Sequence, residues 1–102
     1  VEAAVAKIHE AVETGRAQLV VLPEIWNGPY ATKCFPEYCE RIPEPGQMPN
    51  AEDHPTIFAV SREAAAHKVP IVAGSISERG PGGEVFNTSV VIGPDGRCLA
   101  RH

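Results

Sequence analysis

The chain has 102 residues, 43% of them hydrophobic and 22% charged, with a formal net charge of −4. That is about the length of one domain with the composition of an ordinary globular one, which excludes a disordered tail, a collagen-like chain and a coiled coil. No apolar run approaches the roughly 20 residues that cross a bilayer. The first ten residues mix apolar and charged side chains, unlike a secretory leader, and no basic patch is present to engage nucleic acid.

Val1, Val5, Ile8 and Val12, with Ala4 and Ala11, form the stripe of an amphipathic helix over residues 1 to 14. Gly15 stands where a left-handed cap favours a residue without a Cβ. Leu19-Val20-Val21-Leu22 is a short apolar run stopped by Pro23, and it predicts a strand buried on both faces. Residues 23 to 50 hold six of the ten prolines and four of the six aromatic residues, Trp26, Tyr30, Phe35 and Tyr38. Disordered linkers are poor in aromatics, so an ordered loop is expected, with a helical turn near Pro36 to Arg41.

Asn50 or Asp53 is placed to cap a second helix with Pro55 in its first turn, running through about Lys68. Val69 to Ile76 and Val85 to Ile92 read as strands joined by a flexible tip at Arg79-Gly80-Pro81-Gly82-Gly83. Gly93-Pro94-Asp95-Gly96 is a tight turn into a strand beginning at Cys98. The order α-β-loop-α-β-β-β predicts a layered α/β domain with a mixed sheet. Val1 stands inside a helical pattern with no capping residue before it, and Arg101-His102 falls inside a strand; both ends read as cut.

Glu24 is the most informative ionisable residue, because it directly follows a strand, and in open α/β sheets ligands gather at the carboxyl ends of strands. Flanking aromatics would partly desolvate its carboxylate, a condition that moves such a group toward general-base chemistry. The alternative is a surface glutamate closing a turn. Tyr30 and Phe35, on the same loop, are either walls of a substrate pocket with the Tyr30 hydroxyl as orienting donor, or loop-packing aromatics.

Cys34, Cys39 and Cys98 are an odd count without metal-ligand spacing, so they read as reduced thiols of a cytosol-like compartment. A thiol nucleophile with His54 or His67 as base lacks any local signature, and Cys98 reads as a small core residue. His67 sits near a helix end, where a cation is mildly favoured. Asn87-Thr88-Ser89 matches a glycosylation sequon that reads as accidental inside a strand. The glycines at 80, 82, 83, 93 and 96 are turns rather than a phosphate loop.

The segment LVVLPEIWNGPYATKCFPEYCERIP (Leu19 to Pro43), together with VPIVAGSISE (Val69 to Glu78) and EVFNTSVVIGPDGRCLARH (Glu84 to His102), resembles the nitrilase/amidase superfamily of carbon–nitrogen hydrolases, with its nearest likeness in the omega-amidase branch. The resemblance covers essentially the whole chain. Asn27-Gly28-Pro29-Tyr30 and Cys34-Phe35-Pro36-Glu37-Tyr38 are its branch-specific part.

It implies the N-terminal portion of an α-β-β-α sandwich, residues 1–102 being a partial domain without the first strand and the C-terminal part. It also implies a Glu-Lys-Cys triad that hydrolyses the terminal amide of a short dicarboxylate monoamide, such as 2-oxoglutaramate or 2-oxosuccinamate, with no metal or organic cofactor. By position Glu24 matches the glutamate, Tyr30 a pocket tyrosine and Phe35 the pocket rim. The family's lysine lies just past Arg101-His102 and its cysteine further on, so the isolated chain is expected to be inactive. Cys34 stands where close relatives usually carry an aromatic residue. The resemblance further implies a homo-oligomer at full length, acting on a small amide in the cytoplasm or in mitochondria. The alternatives are an inactive fragment or assembly module of the same fold, or another amidase or carbamoyl-hydrolase branch.

Overall fold

A computed structural model describes residues 1–102. Helix α1 (Glu2–Glu13) leads into β1 (Val20–Val21); a 3-10 turn (Thr32–Cys34) runs into the short helix α2 (Phe35–Tyr38); then come α3 (Pro55–His67), β2 (Ile71–Arg79), β3 (Val85–Ile92) and β4 (Cys98–Arg101). The four strands form one sheet in the order β1-β2-β3-β4. β1 pairs parallel with β2, and the β2–β3 and β3–β4 pairs are antiparallel. The expected mixed sheet is present. No helix is long and apolar enough to cross a membrane.

The core lies between the helices and one face of the sheet. Ile8 of α1 and Ile57, Val60 and Ala64 of α3 pack with Ile71, Ala73, Ile76, Val90, Ile92 and Cys98. The alternation of strand side chains explains this face, since 71, 73 and 90, 92 recur every second residue. It also corrects the expectation for β1. Val20 is buried, but Leu19 and Val21 are 54% and 64% exposed. β1 is an edge strand, and the helices cover only the face to which Val20 points; a continuous apolar run does not say which of its faces is covered.

The end of α1 departs from expectation as well. Arg16, with φ 53°, takes the left-handed position instead of Gly15. Gly15 serves a different need: a Cβ there would lie 2.7 Å from the Ala11 carbonyl oxygen, and that oxygen accepts the Ala17 N–H at 2.9 Å. The tight turn at the other end of the chain is as expected. Gly96 has φ +89°, and its N–H donates to the Gly93 oxygen at 2.9 Å.

Neither Asn50 nor Asp53 caps α3. The Asn50 side chain closes the preceding turn by accepting from the N–H groups of Glu52 and Asp53. His54 is the residue before the helix, and its side chain makes no cap. The buried carboxylate of Glu40 does the capping from the loop, accepting from the Thr56 N–H at 3.1 Å and the Ile57 N–H at 3.2 Å. Burial pushes the Glu40 carboxyl above the usual carboxylate range, opposed by those same hydrogen bonds. Glu40→Ala leaves two helix N–H groups without a partner, an expected cost of about 1–3 kcal/mol. Glu40→Gln keeps a carbonyl acceptor and should cost less. Equal denaturation midpoints for the two variants would refute this capping role.

The loop from Pro23 to Pro49 is anchored to β2 at two points beyond the end of β1. Glu24 bridges to Ser75 and Glu40 to Glu78, both in parallel sense. Between these anchors the aromatic segment leaves the sheet edge as an excursion. The helical turn within it comes earlier than expected, because Pro36 lies in the first turn of α2 and Cys39 is already extended.

Candidate active site

Glu24 stands at the carboxyl end of β1, and the backbone around it is tightly constrained. The Ile25 N–H donates to the Ser75 oxygen at 2.7 Å, and the Ser75 N–H donates to the Pro23 oxygen at 3.2 Å. Ile25 is buried and has φ 45°. A β-branched residue in the left-handed region is an outlier that the surrounding structure must hold in place, and such strain concentrates at functional positions. The segment fits because β2 is notched at Gly74, which has φ +60°. A Cβ at Gly74 would sit 1.9 Å from the Pro23 oxygen and 2.6 Å from the Leu22 oxygen. The β2–β3 register shifts between Val72 and Ser75, across this notch. The Trp26 indole N–H then ties the loop to the Ala73 carbonyl at 2.8 Å.

Two side chains hold the Glu24 carboxylate. The Asn87 amide on β3 donates to Oε1 at 2.7 Å, and the Tyr30 hydroxyl donates to Oε2 at 3.3 Å. Tyr30 meets Phe35 edge-on, with ring centroids 6.4 Å apart. All three residues singled out in the sequence therefore lie together. The expected desolvation differs: Glu24 is exposed and Tyr30 is 71% exposed, so these aromatics do not cover the carboxylate. Below it, the Ser75 hydroxyl is buried without a hydrogen-bond partner, as is the side-chain oxygen of Asn27. The arrangement offers an accessible carboxylate with both oxygens oriented, set against a polar strand end.

Sequence reasoning missed Asn87 and Gly74. Asn87 stood out only as part of a sequon, and its contact to Glu24 spans 63 positions. Gly74 carried a weak signal, since an isolated glycine inside a strand pattern marks a bulge or a close backbone approach.

Two of the three thiols are engaged away from Glu24. Cys98 is fully buried, which pushes its thiol pKa up, as fits a core residue. Cys39 Sγ lies 3.0 Å from the Pro36 oxygen. The His54 ring nitrogen Nδ1 accepts from the Asn50 N–H at 3.2 Å, and burial holds this histidine below its usual pKa. His67 lies between Glu13 and Glu63. Neither histidine pairs with a cysteine.

Comparison with known proteins gives the same picture as the fold. The chain is 41% identical over 95 residues to an omega-amidase of Xenopus tropicalis, covering 93% of this chain and 30% of that protein. It is also 41% identical over 95 residues to a chloroplastic omega-amidase of Arabidopsis thaliana, covering 93% of this chain and 24% of that protein. The chain thus spans about a third or less of the length of these curated relatives. Among solved structures, Nit3 of Saccharomyces cerevisiae, a member of branch 10 of the nitrilase superfamily, superposes with a TM-score of 0.84 at 30% identity, over 99% of this chain and 36% of Nit3. A carbon-nitrogen hydrolase from Helicobacter pylori shares the fold with a TM-score of 0.73 at 21% identity, over 99% of this chain and 32% of that one. Residues 1–102 match the carbon-nitrogen hydrolase family from end to end, and the chain belongs to that family.

Proposed function

We propose that this chain supplies the glutamate arm of an omega-amidase-like hydrolase acting on the terminal amide of a short dicarboxylate monoamide. The observation that carries the reading is the orientation of Glu24 by Asn87 and Tyr30 at the end of β1. The omega-amidase relatives at about 40% identity support the choice of branch.

In this reading Glu24 takes the proton of a cysteine thiol supplied by the rest of the protein. The thiolate adds to the amide carbon, a lysine stabilises the oxyanion, and the carbon–nitrogen bond breaks as Glu24 returns its proton to the leaving nitrogen, which departs as ammonia. Glu24 then draws the proton from the water that cleaves the thioester. The Tyr30 hydroxyl keeps Oε2 aimed, and Phe35 holds the Tyr30 ring from its edge. This division of labour fits a chain in which the Glu24 carboxylate bonds to Asn87 and Tyr30 and to none of the chain's own thiols.

The test is ammonia release from 2-oxoglutaramate, measured on the full-length protein and on residues 1–102 alone. Release is expected from the former only. A full-length protein that ignores this substrate and cleaves a carbamoyl-amine instead assigns the chain to another branch. Activity of residues 1–102 would overturn the division of the triad.

The second reading, an assembly module without activity, draws on the outward apolar side chains Leu19, Val21 and Leu99, each more than half exposed. It requires that the full-length protein release no ammonia.

A further inference from the structure

On the helical layer, α1 and α3 bring together His9, Glu13, Glu63 and His67. The His67 side chain is only 9% exposed. Its Nε2 lies 3.2 Å from Glu63 Oε2, and its Nδ1 lies 3.2 Å from Glu13 Oε1. The exposed His9 ring stands with its centroid 5.3 Å from that of His67, tilted by 59°. Ligand atoms of His9, Glu63 and His67 all lie within 4.8 Å of one another.

The local chemistry is unbalanced. A neutral imidazole donates from one ring nitrogen only, yet both nitrogens of His67 face carboxylates. The ion pairs of Glu13 and Glu63 are with His67 alone, and the chain's lysine and arginine pairs lie at other carboxylates. A metal ion at Nε2, with Nδ1–H donating to Glu13, would satisfy both contacts. That is the pattern of a metal-bound histidine whose second nitrogen is held by an outer carboxylate.

We propose that His9, Glu63 and His67 form a binding site for a divalent transition-metal ion of the zinc type, bridging α1 and α3 on the helical layer. Two imidazoles and one carboxylate are a donor set suited to Zn²⁺, with water completing the tetrahedron. Bonds of about 2.0–2.1 Å place tetrahedral ligand atoms about 3.4 Å apart. The site therefore closes by small side-chain rotations of His9, which is exposed, and Glu63, which is half-buried. The ion joins the two helices and lies apart from Glu24, so its role is structural.

The experiment titrates the chelator-stripped full-length protein with Co²⁺ and then Zn²⁺. One equivalent of Co²⁺ should give the intense visible bands of a four-coordinate site without thiolate charge transfer, and Zn²⁺ should displace it. Glu13→Gln is expected to weaken Zn²⁺ binding by about ten- to a hundredfold, and His9→Ala by at least as much. His9 is exposed and outside the core, so its variant keeps the fold, as circular dichroism would verify. Absence of a four-coordinate cobalt signal, a thiolate band that assigns the metal to cysteine, or unchanged affinity in His9→Ala each overturns the site. A histidine that simply carries a proton between the two glutamates gives the first of these results.

Discussion

On the proposed role of Glu24 as general base, Glu24→Gln is expected to lower ammonia release by the full-length protein by roughly 10²–10⁴-fold, the usual cost of removing such a base, while leaving the fold intact. The side chain is exposed and takes no part in the core. Its backbone contacts to Ser75 do not involve the carboxylate. Glutamine preserves shape, and its carbonyl oxygen can still accept from Asn87, but it cannot take a thiol proton. The measurements are steady-state ammonia release and the denaturation midpoint of the same sample. Turnover within a few-fold of the parent protein would remove Glu24 from the mechanism. A lowered midpoint would instead show that the carboxylate is structural.

Gly74→Ala should be the most damaging single methyl group in the molecule. A non-glycine residue at φ +60° costs about 1–3 kcal/mol where the backbone has no freedom to relax. The Cβ must also displace two carbonyl oxygens, of Pro23 and Leu22, that it would meet at 1.9 and 2.6 Å. Overpacking of this kind adds about 1–3 kcal/mol. A sum of about 2–6 kcal/mol is a large part of the 5–15 kcal/mol that holds a typical domain folded. The expected result is a large fall in the urea midpoint, or loss of soluble protein. Gly46→Ala provides the contrast: it also has positive φ, but its Cβ would meet nothing within 4 Å, so only the conformational part applies. Equal losses at the two positions would show that the close approach at Gly74 contributes nothing.

Much of the fold was legible because its rules are local. The valine and isoleucine stripe of α1, the proline opening α3 and the Gly93 to Gly96 turn each depend on neighbours within a few positions. Glu24, Tyr30 and Phe35 were legible as candidates because one loop carries all three. What the sequence concealed depends on contacts between distant segments. Glu40 caps a helix that begins fifteen positions later, so a search for capping residues beside α3 found Asn50 and Asp53 instead. Asn87 belongs to another strand. The exposure of Leu19 and Val21 follows from where the helices lie, about which the alternation of a short apolar run is silent. His9 and His67 come from separate helices and share no sequence spacing.

The pairing of β2 with β3 has an implication for how such a protein can vary over generations. Asn87 lies opposite Ser77, two residues along from the Ser75–Ser89 pair, and its neighbour Thr88 points the other way, to the buried Glu78. A slip of one residue exchanges the two faces of β3. It would turn the amide away from Glu24 and bring another side chain toward it. The glycine-rich tip at 80 to 83 can gain or lose residues without consequence, provided the count between the notch and Asn87 is restored in the pairing. Insertions should therefore accumulate at the tip and be purged from the strands, even at positions where a packed core alone would tolerate them.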